Sequence, residues 1–546
     1  MKKNALWVIV LVIVGIGAYM AFKPKPEVQE VPKPAAKEQE APKPAVKEEE
    51  APKPAVKEEE APKSAAKDTL VVADQYDATT LDPIRHNDYP SSRACAQIYD
   101  TLIFLNDDGS FRPGLAEKWE IVSDTAYKMF LRKGVKFHNG DELKAEDVKF
   151  SLERATTDLG AQIRTYSQDL ESVEIVDDYT VIIHLKKVNF PFFASLAHSW
   201  GSIVNKKVVE AAGDDYGTVS GGAIGTGPFK FVSWNKGDRY TFERNDDFWG
   251  DPIQFKTLVV RSIPEPTART VGLETGEVDI AYPITTNELK RVEESDSLEL
   301  QRKPLASTTY MGFNTTKKPF DDPRVRHAFA AALDTVGTQA AVFRGVGKTP
   351  RTLIPSGIKY SIDAELPAHV QDVEQAKKLF AEAGVKTEGM KVQLWTNERK
   401  ERVDMATIMQ AQLAELGITA EIKVLEWGAY LQGLKEKTHD MFLLGWGLSV
   451  PDPDYAVAGL LETGAGTNYT FFSDAKLDEL ILKGRSTPDG DERAQTYKDM
   501  QLHINEMRPM IYLHNDESLV GVQKRVKGFT SSPFDVHSFR KVYFEE

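Results

Sequence analysis

Cysteine is almost missing from this chain: of 546 residues only Cys95 is one. An intramolecular disulfide is therefore unavailable, and a zinc site built on cysteines is excluded. Positive charge is also in deficit. With a net charge of −14 the chain offers no basic surface on which a phosphate backbone could release counterions, which argues against nucleic-acid binding. The ten histidines never occur at His-x-x-x-His spacing and no Gly-x-Ser-x-Gly elbow is present. Helical metal sites and the hydrolase nucleophile turn are thus absent, so no metal, no cofactor and no catalytic residues are expected. Long apolar runs are lacking too, with one exception at the amino terminus. A polytopic membrane protein is ruled out, and 41% hydrophobic with 27% charged residues describes a chain that folds mostly in water. At this length a single hydrophobic core is not expected.

The exception is Ala5 to Phe22, 18 uncharged and largely apolar residues after Lys2 and Lys3. That length just suffices to cross a bilayer. A cleaved signal peptide needs small residues before its cut, and only Gly15-Ile16-Gly17 and Ala18 fit loosely, so residues 1–22 are read as an uncleaved membrane anchor in preference to a signal segment. No cysteine follows, which excludes a lipoprotein anchor. Residues 23–68 then repeat a ten-residue unit, as in APKPAVKEEE, with hardly a large apolar side chain. Such a segment builds no core; its prolines favour extended polyproline II, and its length spans about 140 Å when fully stretched. It reads as a spacer. The rest, residues 69–546, carries 56 basic and 71 acidic residues, a net charge of −15.

From Thr69 onward strand and helix signals alternate. Tyr127 to Leu131 and Tyr179 to Leu185 are β-rich, and Ala145-Glu146-Asp147 opens an amphipathic helix. Asp322-Pro323 is a helix start, a capping side chain followed by proline at the first helical position. Between 372 and 446 a capped helix, a strand at Val392 to Trp395, a helix over about 401–416, a strand from Ile418 to Leu425, a short helix near Tyr430 and an apolar strand Met441 to Trp446 follow one another. That alternation predicts parallel pairing through crossover helices, with ligands lying beyond the carboxyl ends of the strands. The loop Trp446 to Asp454 falls at such an end, stiffened by Pro451 and Pro453, and is the best candidate for a ligand wall. Trp446 is a candidate for stacking on a ligand or for simple packing. Asp452 is a candidate acceptor for a ligand ammonium or a turn residue. Two glycine-rich stretches are decoys. Gly345 to Thr349 has Val342 where a phosphate loop needs its first glycine and Pro350 where a helix should begin, while Gly221 to Gly227 runs into an aromatic strand.

Several longer motifs, in order, resemble one family over essentially all of 69–546: the extracytoplasmic solute-binding proteins of ABC importers, of the oligopeptide, dipeptide and nickel class (family 5). The segments are Pro113 to Glu120, Leu131 to Gly140 with Ala145 to Val148, Gly225 to Phe229, Gly312 to Thr315 leading to Asp322 to Arg326, and Asp452-Pro453 after Gly445-Trp446. The resemblance implies an α/β clamshell of two lobes, like the periplasmic binding proteins, with an extra α+β domain inserted in the first lobe. The expected division is 69–110, 222–312 and 514–546 in the first lobe, 111–221 in the inserted domain and 313–513 in the second lobe. It further implies an extracytoplasmic monomer that encloses a small solute, with a short peptide the first expectation, and docks on a membrane permease without catalysing a reaction. In peptide-binding members an aspartate three residues after the tryptophan anchors the peptide amino terminus, and here that position is Ser449. A hydroxyl lacks the charge assistance of a carboxylate, so a sugar, a metal chelate or a sensing role for the same fold stay open as alternatives. Tyr76, Tyr310 and Arg402 complete the expected ligand-binding set, the arginine as a carboxylate partner.

Overall fold

The computed structural model describes residues 68–106 and 108–545; the expected anchor, and the expected spacer up to residue 67, lie outside the described residues. Among the described residues no helix is long and apolar enough to cross a membrane.

Three large sheets organise the body. The first has seven strands in the order Leu298–Pro304, Glu517–Gln523, Ile280–Tyr282, Thr69–Asp74, Thr257–Ser262, Arg239–Arg244 and Phe229–Asn235. The second has five, ordered Thr419–Leu425, Lys391–Asn397, Met441–Gly447, Ser307–Phe313 and Met510–His514. A four-stranded antiparallel sheet, Ala116–Ser123, Ala126–Leu131, Thr180–Leu185 and Leu170–Asp177, stands between the first two strands of the seven-stranded sheet in chain order. These sheets mark the two lobes and the inserted domain, and the apolar clusters that cover them run on from one to the next, one of them joining Ala73 and Leu519 of the first sheet to Met311 and Leu443 of the second.

Sequence pattern accounts for the elements. Along Met441–Gly447, Met441 and Leu443 enter the core beside the helix Lys400–Ala414, while Phe442 and Leu444 enter the core on the opposite face. A strand covered on both faces reads as a continuous apolar run. Aspartates open the helices: Asp88 Oδ1 accepts from Ser91 N at 2.8 Å ahead of Tyr89–Ile98, and Asp372 Oδ1 accepts from Gln375 N at 2.8 Å ahead of Val373–Glu382. The run Gly225 to Gly227 is a close packing contact. A Cβ at Gly225 would lie 2.2 Å from the carbonyl of Ile98.

The expected parallel pairing is present, within a sheet that holds more than those strands. Lys391–Asn397 does pair parallel with both neighbours, but Met441–Gly447 pairs antiparallel with Ser307–Phe313, so the second sheet is mixed. Local alternation of helix and strand cannot reveal a partner strand more than a hundred residues away. The first strand of the second sheet in chain order begins at Ser307. The chain therefore crosses between the sheets through Leu305 and Ala306 and returns through Asn515 and Asp516. The two crossings are tied together, Leu305 N donating to Asp516 O at 2.8 Å.

Candidate ligand site

Both sheets turn strand ends toward these crossings. In the second lobe the ends are Asn397, Gly447 and His514; in the first they are Asp74 and Tyr282. The side chains there are charged. On the first lobe, Arg93 Nη1 donates to both oxygens of Asp74 at 2.9 Å, and the same guanidinium pairs with Asp535 while its Nε donates to the Asp535 carbonyl at 2.7 Å. Two carboxylates thus share one cation, with the Tyr282 ring 4.9 Å from its centre. Burial pushes both carboxyls upward, against the opposing pull of Arg93.

The second lobe presents the opposite imbalance. The strand Lys391–Asn397 pairs with Met441–Gly447 only at Leu394 and Trp395. Beyond that point Tyr430 Oη donates to the Leu443 carbonyl at 2.7 Å, and Arg402 Nη1 donates to Asn397 Oδ1 at 2.9 Å. Arg402 is 7% exposed, its Nε has no hydrogen-bond partner, and no carboxylate lies within ion-pair distance among the described residues. Desolvation, with the like charge of Arg399, lowers its pKa. Asp516 at the crossing lies 3.0 Å from His514 Nε2 and 3.9 Å from Arg399. Burial alone would raise its carboxyl, but His514 and the two guanidiniums hold it well below the usual range.

Ser449 joins three parts of the molecule. Its side chain faces Tyr89 of the first lobe and Tyr166 of the inserted domain, and its influence on both phenols opposes that of burial. Burial raises both phenols, Tyr166 to about 12. Nearby, a Cβ on Gly447 would stand 2.5 Å from Tyr89 Oη. Beyond Ser449 lies a cavity of about 440 Å³, walled by the helix Tyr89–Ile98, the inserted domain and the carboxyl-terminal segment 528–541. Its size is that of a small-ligand pocket.

The expected residues separate on this geometry. Ser449 follows the strand end at Gly447, Arg402 is buried beside Asn397, Trp446 is half-buried against the second-lobe core, and Tyr76, 58% exposed, follows the strand end at Asp74. Trp446 Nε1 donates to the Tyr455 carbonyl at 2.8 Å and its ring packs on Gly459. Tyr310 does not join them: it is 1% exposed in the second-lobe core, edge-on to Phe442. Asp452 is likewise removed from the ligand side. Its carboxylate receives Arg493 Nη2 at 2.9 Å on both oxygens and caps the helix Pro453–Leu461 through Asp454 N. Arg93, Asp535, Tyr89 and Tyr166 went unnoticed in the sequence. Asp535 stands in a tail without periodicity, where only the mixture of aromatic and polar residues in 529–541 marks it.

Comparison with known proteins decides what such a two-lobe site belongs to. The model of the bacterial extracellular solute-binding proteins, family 5 middle, matches residues 110–468. The chain belongs to that family. Among family 5 relatives, the dipeptide-binding protein of Escherichia coli (strain K12) is 31% identical over 79% of this chain and 86% of its own length. The glutathione-binding protein of Pectobacterium atrosepticum is 30% identical over 84% and 91%. The solved periplasmic binding protein DppA from Helicobacter pylori, in complex with the peptide STSA, superposes with a TM-score of 0.77 at 29% identity, covering 88% of this chain and 99% of that one. This family 5 chain is thus a solute-binding component of the ABC-importer class, in the two-lobe fold of the periplasmic binding proteins.

Proposed function

We propose that this chain is a membrane-tethered receptor that captures a short peptide, or a small zwitterion resembling one, between its lobes and delivers it to an ABC permease. The observation that carries the reading is the charge imbalance at the junction. Asp74 and Asp535 share Arg93 on one lobe, and Arg402 lacks a carboxylate on the other. An ammonium and a carboxylate on one small molecule satisfy both. Asp535 then supplies the negative charge that Ser449 lacks. A ligand touching both lobes stabilises the closed arrangement and only that one, so closure reports occupancy to the permease. The relatives named for dipeptides and glutathione, and the peptide in the Helicobacter structure, point the same way. Residues 5–22 hold the receptor at the membrane, and the 23–68 spacer keeps it concentrated there with room to move.

Titration calorimetry with dipeptides and their N-acetylated and C-amidated forms tests this. Free dipeptides bind, each blocked form loses about tenfold, and Arg402→Gln abolishes the penalty for amidation. Equal binding of blocked and free forms, or binding of sugars or metal chelates and of no peptide, overturns it. Recovery of the full chain in the membrane fraction, and release of a chain starting at residue 65, tests the tether.

A further inference from the structure

The cavity behind Ser449 has an unusual wall for so acidic a protein. Among the described residues it carries Arg112, Arg540 and Lys541 and no aspartate or glutamate, while the folded body bears a net charge of −15. Eight serines and threonines also line it, supplying hydroxyl donors. The two guanidiniums stand over one ring, Arg112 at 4.4 Å and Arg540 at 4.9 Å from the centre of Phe104. Two cations flank one aromatic ring, and Asp100 is the one carboxylate that acts on both, which leaves the pair with an excess of positive charge.

Their partners are unequal. Arg540 Nη2 donates to Asp100 at 2.6 Å, and Asp100 also receives Thr226 and the Trp249 indole. Arg112, on the strand Phe111–Pro113 of the inserted domain, makes no ion pair or side-chain hydrogen bond among the described residues. Partial desolvation and the like charge of Arg540 lower its pKa, against the opposing pull of Asp100. The two histidines in the wall add no charge, since burial drives His198 down to about 3 and His537 well below its ordinary value.

Resting on the zwitterion reading above, we propose that this chamber is an anion subsite. The preferred ligand carries a second acidic group, a carboxylate or a phosphate on the part that extends past Ser449, and Arg112 with Arg540 receives it. The ligand class narrows accordingly to acidic peptides or comparably acidic small solutes.

The test compares each acid with its uncharged counterpart in calorimetry on the full chain: Ala-Glu with Ala-Gln, Ala-Asp with Ala-Asn, phosphoserine dipeptide with the serine dipeptide, and gluconate with glucose. The carboxylate and phosphate pairs distinguish the two sources of charge. The acid of at least one pair binds about tenfold more tightly. Arg112→Gln, at an exposed position, brings that ratio to within about twofold and leaves the neutral member's affinity unchanged, while Arg112→Lys restores part of it. An acid and its counterpart binding alike in every pair overturns the subsite while leaving the peptide reading intact. A preference shown only by gluconate supports the subsite and removes the peptide reading. A preference untouched by Arg112→Gln overturns the assignment to these residues, and no binding by any pair overturns both.

Discussion

Ser449 and Asp452 stand three positions apart and serve different ends. The serine faces Tyr89 and Tyr166, one from the first lobe and one from the inserted domain. The aspartate is fixed inside the second lobe by Arg493, whose side chain is 3% exposed. Removing a buried partner strands a charge, at a cost of about 3 kcal/mol, here lessened because Asp489 still reaches Arg493 Nη1 at 2.9 Å. Asp452→Ala is therefore expected to lower the urea midpoint of the body, while ligand affinity in the folded protein stays within about twofold. A large loss of affinity at unchanged stability would return Asp452 to the binding site. Sequence could not separate these cases. An Asp-Pro pair marks a helix start as readily as a ligand carboxylate, and the deciding residue, Arg493, lies 41 positions downstream.

At the scale of elements, the helices opened by Asp-Pro and closed by glycine were legible, as were the strands with strong patterns. Their partners were not, because the antiparallel neighbour of Met441–Gly447 comes from residues 307–313 and only tertiary contact selects it. The same limit hid the tail residues around Asp535 and the strand bearing Arg112, whose role depends on what three distant segments place beside them. One meeting of elements carries its own prediction. The end of Met441–Gly447 abuts the start of Tyr89–Ile98, and a methyl group on Gly447 would lie 2.5 Å from the tyrosine oxygen but 3.5 Å from the nearest ring carbon. Gly447→Ala is expected to oppose closure and weaken ligand binding by about tenfold, with the urea midpoint of the unliganded protein unchanged. Adding Tyr89→Phe removes the clashing oxygen and recovers part of the affinity. Failure of the double variant to recover any would show that closure does not bring these two elements together.

The whole molecule shares a different dependence, on acid. Its interior holds histidines in the neutral state: burial lowers His138 to about 4, His198 to about 3 and His439 to about 4, and among the described residues none of the three has a carboxylate within ion-pair distance. In the unfolded chain each protonates near its ordinary value of about 6.5. Between that value and the folded ones the unfolded state binds more protons, so stability is full above about pH 6.5 and falls as the pH drops toward 4. Each group contributes roughly 2 kcal/mol of loss by pH 5. His439 is the clearest probe, since its Nε2 donates to the Tyr469 carbonyl at 3.0 Å in a site of zero exposure, where a glutamine amide can also donate. Urea denaturation at pH 7, 6 and 5 should show wild-type stability declining across this window, and His439→Gln declining less by about the share of one histidine. Parallel curves for the two proteins would mean that His439 is charged in the folded state, and that the acid sensitivity of this receptor is set elsewhere.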